Sequence, residues 1–364
     1  MMKKNKFIVL LLISIFIASC SKEETTSVAY ETEIANTIST EIISPKIRDL
    51  VKKTAVLKTS LTNFSTKTNE ENLKIAQQKL TEITKLYAQL YTFNIGEVKN
   101  NFINRQLNFW PVYNISIEKN IKNDSFKIEN IENLGSATKN LPGLNYLLFK
   151  FENPADIIAE YQKNPNRIKF LLGVFDQFNQ LVQQLNDIWF SSKNASKNTF
   201  ENQFRNNTDK GLDSSFNQLF NGLYNVIDNC KVTKVGKPAG LESSSHVHPE
   251  IVENYYTGNS LDLIYENILS VEELFFSKKI TSIADYIKSV TKNDTLNNTI
   301  SAKIQEIKSI LKNDIKQPLK EAVTTDKKNV KRLHTALKEL LVLLHNDVRS
   351  SLSIIITGTD NDGD

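Results

Sequence analysis

One local cluster of metal-compatible side chains stands out in the sequence: His246-Val247-His248-Pro249-Glu250. Alternate histidines can chelate a metal ion from an extended loop, and Glu250 could add a carboxylate oxygen. The ordinary alternative is a serine-rich loop that carries two solvated histidines. Both interpretations stay open at this stage: a site for iron or another divalent metal at His246, His248 and Glu250, and a loop without one.

A second candidate site is the apolar stretch Asn140-Leu141-Pro142-Gly143-Leu144-Asn145-Tyr146-Leu147-Leu148-Phe149. It follows a polar loop and predicts a short helix, in whose first turn Pro142 is tolerated because that N–H has no intrahelical partner. Residues three apart share a helix face, so Pro142 and Asn145 lie on the same side. Proline offers no ligating atom and asparagine is a neutral amide, so this pair cannot perform acid–base or metal chemistry.

The predicted ligand-cleft residues are Asn140, Pro142, Asn145 and Tyr146. The alternative is that the asparagines are a helix cap and an amide satisfied inside an interface. No histidine precedes His246, so the first half of the chain cannot supply an imidazole. Aromatic residues at other positions could line the cleft, although helical spacing places most such residues in a core. These aromatic candidates are Phe109, Trp110, Tyr113, Tyr255 and Tyr256.

The stretch 140–149 resembles the signature of the imelysin, or insulin-cleaving-peptidase-like, family. That signature reads Gly-x-His-x-x-Glu, or in many members Gly-Leu-Pro-x-x-Glu, and continues with an aromatic residue, two leucines and another aromatic. Tyr146-Leu147-Leu148-Phe149 keeps the apolar end, whereas Asn140, Pro142 and Asn145 stand at the glycine, histidine and glutamate positions.

Further segments resemble family blocks in order and spacing, so the resemblance covers about residues 30–364. They are Val235 to Gly240, Pro249, Val252 to Tyr256, Asn259 to Leu261 and Leu344 to Leu352, with Arg167 and Trp189 also placed as in the family. The resemblance implies two helical bundles with a cleft between them, and an association with iron or haem acquisition. Because the His and Glu positions are altered, it does not carry the family's supposed peptidase chemistry to this chain.

Residues 1–19 are interpreted as a lipoprotein signal peptide. Lys3, Lys4 and Lys6 precede an apolar run that is too short for a permanent membrane helix. Ile17-Ala18-Ser19-Cys20 resembles a lipobox, which predicts lipid on Cys20 and membrane attachment through it. Ser21 after the cysteine resembles outer-membrane sorting, so we expect an outer-membrane lipoprotein at the periplasmic face or the cell surface.

Charge and cysteine content argue against nucleic-acid binding and against an intramolecular disulfide. The signal carries three of the 45 basic residues and none of the 41 acidic residues, which leaves a net charge of +1. The sequence also shows no basic stripe with interleaved aromatics, so a nucleic-acid partner is not expected. With Cys20 lipidated, Cys230 has no intramolecular partner and is expected to be a buried, inert thiol.

Hydrophobic periodicity predicts an all-α protein, and the length of the chain favours two domains. The family resemblance implies that these domains are two helical bundles with a cleft between them. Ser44-Pro45 is interpreted as a helix start, Thr68 and Glu71 as a capping box, and Asn153-Pro154, Asn164-Pro165 and Ser260 as further helix starts. Residues 115–136 are irregular in pattern and give no assignment. The expected organisation is a signal (1–19), a lipid-anchored tether and first helix (20–43), an N-terminal bundle (44–190), a linker (191–210) and a C-terminal bundle (211–364).

The function predicted first is a lipid-anchored, imelysin-like envelope protein with a non-catalytic binding role linked to iron or haem acquisition. One alternative is a metal-dependent peptidase or metal carrier that uses His246, His248 and Glu250. Another is a structural partner of surface lipoproteins, with envelope proteins as its partners. Binding rather than catalysis is favoured because the signature lacks its His and Glu.

Overall fold

The computed structural model describes residues 27–192, 198–242 and 244–359, and all of the regular structure in these ranges is helical. The predicted signal peptide and Cys20 lie outside the described residues. The first helix, α1, covers residues 27–66 and contains a π-helical turn at Ser39–Ile43. No helix in the described ranges is both long and apolar enough to span a bilayer.

The helices that follow α1 are joined by short loops and 3₁₀ turns. Those of at least five residues are α2 (Glu70–Leu90), α3 (Gly96–Asn100), α4 (Ile103–Leu107), α5 (Asn114–Ile121), α6 (Asn140–Phe149), α7 (Pro154–Lys163), α8 (Asn166–Phe190), α9 (Phe200–Arg205), α10 (Ser215–Asn229), α11 (Ser260–Phe276), α12 (Ile283–Thr291), α13 (Thr295–Ser309), α14 (Leu319–Thr325) and α15 (Lys327–Val342). Three of them continue into π-helical turns, at Cys230–Gly236 after α10, Ile310–Asp314 after α13 and Leu343–Val348 after α15.

The predicted helix start at Ser44-Pro45 is wrong, because α1 continues through this position. Proline has no N–H to donate and its ring clashes with the carbonyl four residues earlier in a regular α-helix. Here the π-helical turn ends at Ile43, directly before Ser44 and Pro45, so the regular hydrogen-bond ladder is already interrupted there. The Ser44 hydroxyl caps no helix and instead accepts from Trp189 Nε1 at 3.0 Å.

Three predicted helix starts are displaced by one residue, and one is confirmed. Asn69, not Thr68, caps α2 by accepting from Asn72 N at 3.0 Å. Helix α8 begins at Asn166, so Pro165 lies just outside it. Ser260 is the first residue of α11 and its hydroxyl donates to the Glu253 carbonyl. Asn153 caps α7 as predicted. The displaced starts show competition among neighbouring polar side chains for the same orphan N–H groups.

The buried apolar side chains form one connected cluster that extends from Ile34 to Ile354. Helix α1 packs on α2 and α8, and α2 also packs on α11, so both predicted bundles share this cluster. The predicted linker contains α9, whose Phe200 ring packs edge-on against Trp189 at 5.0 Å between centroids. The all-α class is confirmed, whereas the division into two bundles with a cleft between them stays a prediction.

Candidate functional site

Helix α6 is the buried centre around which the candidate site is built. Its residues 140–148 are all buried, as expected for a helix that is apolar on every side. It packs against α2 and α8. Asn140 begins the helix with a left-handed φ of 59°, and its Nδ2 donates to the Gln106 carbonyl at 2.7 Å. Asn140 therefore fastens the start of α6 to α4, and it is not among the residues that line the pocket described next.

Pro142 and Asn145 contribute to a pocket with a volume of about 340 Å³. Its other sides come from the loop before α5 and from the loop between the 3₁₀ turn Pro249–Ile251 and α11. The lining residues are Trp110, Pro111, Val112, Asn114, Pro142, Asn145, Glu250, Val252, Asn254, Tyr255 and Tyr256. Two of the predicted cleft residues and three of the five aromatic candidates thus meet in one pocket. We call this the signature pocket.

Amide side chains fix the geometry of the signature pocket. Asn145 Nδ2 donates to the Thr257 hydroxyl, which ties α6 to the loop before α11. Asn114 Nδ2 donates to the Tyr256 hydroxyl at 2.9 Å and ties α5 to the same loop. An amide whose NH₂ is held in this way still carries a carbonyl oxygen that can accept a hydrogen bond. The pocket therefore combines aromatic faces with oriented hydrogen-bonding groups, which is the usual composition of a small-molecule site.

Tyr146 points away from this pocket into a charged network. Its hydroxyl donates to Glu118 Oε1 at 2.6 Å. Arg167, which is 3% exposed, donates to both oxygens of Glu118 at 2.8 and 2.6 Å and to Glu160 at 3.0 Å. Lys150 completes the network with contacts of 3.1 and 3.2 Å to the two carboxylates. Tyr146 still touches the pocket indirectly, because its ring packs edge-on against Tyr256 at 4.9 Å.

The network fixes the protonation states of its members. Burial alone would raise the pKa of Glu118, but hydrogen bonds from Arg167 and Tyr146 outweigh it and lower that pKa to about 2. Burial and the hydrogen bond to Glu118 raise the pKa of Tyr146 well above its usual value. Glu118 is thus a permanent carboxylate and Tyr146 a permanent neutral phenol near pH 7. Neither group is suited to general acid–base catalysis at that pH.

A second ion pair lies next to the signature pocket. Lys234 Nζ and Glu253 Oε2 are 2.8 Å apart, with each side chain 3% exposed. Lys234 also donates to Asn267 Oδ1 at 2.8 Å, and Asn108 Nδ2 donates to Glu253 Oε1 at 2.7 Å. The lysine ammonium lies 5.6 Å from the centre of the Trp110 ring. These contacts connect the two loops that carry the aromatic walls of the pocket.

Sequence reasoning did not find Glu118, Lys234 or Glu253 as functional candidates. Glu118 lies in the stretch 115–136 that gave no assignment, and its partner Arg167 is 49 residues away in the chain. Glu253 lies inside a resembling block without any local sign of burial or pairing. Long-range ion pairs leave no periodic signal, so no pattern in the sequence could have indicated these contacts.

The predicted metal ligands are only partly brought together. His248 Nδ1 lies 3.0 Å from Glu250 Oε1, whereas the His246 and His248 ring centres are 6.4 Å apart. Within the described ranges, no three His, Cys, Asp or Glu side chains are grouped so that they could hold a metal ion. Glu250 and Asn145 both line the signature pocket. Metal binding by these three residues stays a prediction.

The signature positions do not fit the metal that the family's His and Glu would hold. The side chain of Pro142 consists only of carbon atoms, and the amide nitrogen of Asn145 donates a hydrogen bond to Thr257. The buried amide oxygen of Asn140 has no hydrogen-bond partner among the described residues, but a single neutral oxygen does not constitute a metal site. No metal-dependent step follows from this arrangement.

Comparison with solved structures supports the fold. A chain from Parabacteroides distasonis ATCC 8503, assigned as an iron-regulated protein A precursor, matches with a TM-score of 0.74 and 18% identity, covering 89% of this chain and 95% of that one. An imelysin-like protein from Psychrobacter arcticum 273-4 matches with a TM-score of 0.66 and 15% identity, covering 91% and 98%. At these identities the likeness establishes the fold alone.

Comparison with curated proteins gives no match. The family model described as Peptidase_M75: Imelysin matches residues 43–344. This range includes α6, the signature pocket and both buried ion pairs. Since the match covers most of the 364 residues, the chain belongs to the imelysin family.

Proposed function

We propose that this protein is a lipid-anchored envelope protein that binds a small ligand in the signature pocket without catalysing a reaction. The observation that carries the proposal is the replacement of the family's His and Glu by Pro142 and Asn145 at the base of a formed pocket. The pocket keeps aromatic walls and oriented amides, which are groups that bind and orient a ligand. It has lost the groups that would activate a nucleophile or hold a catalytic metal.

The protonation of the pocket supports binding over catalysis. Among the described lining residues the ionisable groups are Glu250, Tyr255 and Tyr256. Hydrogen bonds from the backbone and from His248 lower the pKa of Glu250, while burial raises the pKa of Tyr256. An efficient general acid or base has a pKa near the working pH, and these shifts move both groups away from it. The carboxylate favours neutral or cationic ligands over anionic ones.

The link to iron is part of this proposal. A structural relative is assigned as an iron-regulated protein, and we infer that the present protein serves in iron or haem acquisition at the outer membrane. Lipid on Cys20 would hold it there. Cys20→Ser should release the protein from the membrane fraction, whereas the unaltered protein should partition into detergent. Identical fractionation of the two forms would refute the anchor.

Trp110 provides a direct optical test of the pocket. One of the two tryptophans, Trp189, is fully buried, whereas Trp110 lines the pocket, so a bound ligand should change the fluorescence of Trp110 selectively. Purified full-length protein in detergent should be titrated with fractions of envelope small molecules, with Trp110→Phe as the blank. Asn145→Leu should weaken the binding by roughly tenfold or more, since it removes a hydrogen-bonding group from the pocket.

The metal alternative has its own support in the contact between His248 and Glu250. The matched control for Asn145→Leu is therefore His246→Ala, which should leave ligand binding unchanged because His246 is not among the residues that line the pocket. The double variant His246→Ala,His248→Ala serves the metal test. Elemental analysis should find no near-equimolar metal, and peptide substrates should remain intact. Near-equimolar metal that disappears in the double variant would replace the proposal with a metal carrier or metallopeptidase centred on that loop.

A further inference from the structure

Residues 354–359, which follow the last helical turn, are bound by asparagine side chains of α10. After Ser353, which has a left-handed φ of 54°, the chain leaves the helical conformation. Asn217 Oδ1 accepts from Ile355 N at 2.8 Å, and Asn217 Nδ2 donates to Ile355 O at 3.0 Å. Asn221 Nδ2 donates to the same carbonyl at 2.8 Å, and Asn221 Oδ1 accepts from Thr357 N at 2.8 Å. Two side-chain amides thus satisfy the backbone of alternate residues.

The spacing of these amides matches an extended chain. Asn217, Asn221 and Asn225 are four residues apart on α10, which corresponds to a rise of about 6 Å per step. Two residues of an extended strand advance about 6.6 Å. Asparagines four residues apart on the helix are therefore spaced to bind backbone groups two residues apart on the extended segment, which point to the same side. Asn225 occupies the third position of this ladder, and it lines a groove together with Thr357 and Thr359.

The side chains of the segment alternate as they do in a strand that covers a core. Ile354 is 5% exposed and Ile356 packs against the apolar core, whereas Ile355 is 46% exposed. The side chains of Asn217 and Asn221 bind the segment through the backbone of Ile355 and Thr357 and through the Thr357 hydroxyl. Recognition through backbone groups does not depend on sequence, so selectivity is left to the buried Ile354 and the half-buried Ile356. The groove continues past Thr357 with a volume of about 170 Å³.

We propose that the ladder of Asn217, Asn221 and Asn225 is a binding site for an extended peptide with apolar side chains at alternate positions. The chain's own residues 354–359 occupy it in cis and serve as the template for such a ligand. A peptide in trans gains the same backbone hydrogen bonds once the segment leaves. The peptide site is distinct from the signature pocket. If the peptide proposal is refuted, the proposed small-ligand function is unaffected.

Proline substitution opens the site without shortening the chain. Ile355→Pro,Thr357→Pro removes the two backbone N–H groups that donate to Asn217 and Asn221. The matched control is Ile355→Ala,Thr357→Ala, which keeps both N–H groups. A labelled peptide with the sequence of Ser353 to Asp364 should bind the proline variant roughly tenfold or more tighter than the wild type or the alanine control. Adding Asn217→Leu,Asn221→Leu to the proline variant should abolish this gain.

Peptide variants test how the ligand is read. Ile355→Lys in the peptide should leave binding unchanged because that side chain is exposed, whereas Ile354→Asp,Ile356→Asp should prevent binding. Hydrogen exchange gives a second test on the unaltered protein: excess peptide, marked in mass by Thr357→Ser, should accelerate exchange at the protein's own Ile355 and Thr357 amides. The proposal is overturned if the proline variant binds no peptide, if binding survives the loss of both asparagines, or if exchange is unchanged at saturating peptide. In each case the asparagine contacts would only hold residues 354–359 in place permanently.

Discussion

Replacing Glu118 by glutamine should destabilise the protein in a pH-dependent way. Glu118 accepts hydrogen bonds from Arg167 and Tyr146 and has a pKa of about 2, against an ordinary value of 4.5. Its side chain is 21% exposed, so the environment screens the interaction only in part. A pKa difference of about 2.5 corresponds to roughly 3 kcal/mol of stability contributed by the carboxylate. Glu118→Gln should lower the free energy of unfolding by about that amount at pH 7.

The sign of the pH dependence follows from the lowered pKa. A carboxyl group with a lower pKa in the folded state stabilises the fold fully above its unfolded pKa of 4.5 and loses that effect as the pH falls towards 2. The gap between the wild type and Glu118→Gln should therefore be about 3 kcal/mol from pH 7 to pH 5 and about half as large near pH 3.

Urea unfolding at pH 7, 5, 4 and 3, followed by circular dichroism, measures this gap. The exposed residue Glu129 provides the matched control, because Glu129→Gln removes a carboxylate without a buried partner. That control should stay within about 0.5 kcal/mol of the wild type at every pH. A gap for Glu118→Gln that is constant from pH 7 to pH 3 would refute the ion-pair reasoning and leave only lost packing as its cause.

Three further predictions concern buried groups elsewhere in the fold. Lys234→Met should reduce the free energy of unfolding by about 3–5 kcal/mol because it leaves the buried Glu253 carboxylate without its cation. In urea titrations, Lys234→Met,Glu253→Gln should recover part of that loss. Equal losses in the two variants would contradict the pairing. Burial raises the pKa of the Cys230 thiol to about 12, so a thiol reagent at pH 8 should modify it only after denaturation, and rapid labelling of folded protein would contradict this. A Cβ at Gly222 would lie 2.4 Å from a main-chain carbonyl oxygen, so Gly222→Ala should cost about 1–3 kcal/mol. Gly135→Ala meets nothing within 4 Å and should be neutral in the same thermal unfolding assay.

Local patterns in the sequence predicted the helices well because they reflect burial on one face. The apolar stripe from Phe170 to Trp189 lies in α8, and the predicted burial of Cys230 is confirmed. Helix starts were less predictable, since adjacent polar side chains compete for the same N–H groups. At Pro45 the error came from treating proline as a start signal, whereas a π-helical turn accommodates it inside α1.

The candidate site was predictable only in part. The resemblance located Pro142 and Asn145, and composition suggested the aromatic residues. Neither revealed that Asn145 and Tyr256, which are 111 positions apart in the chain, line the same pocket. The ion pairs and the asparagine ladder depend on contacts between distant segments, such as Asn217 with Ile355. Nothing in the local sequence around either partner specifies such a contact, because only the folded topology brings them together.

The π-helical turns have a consequence for comparing this chain with its relatives. Each such turn accommodates about one residue more than a regular α-helical turn, so the helix face that follows is rotated by about 100°. An alignment that allows gaps only in loops would then pair core positions of one relative with surface positions of another after Ser39–Ile43 or Leu343–Val348. One-residue gaps inside helices are the physically correct treatment for these segments. Part of the low identity between members with nearly the same fold can arise from this shift in helical phase.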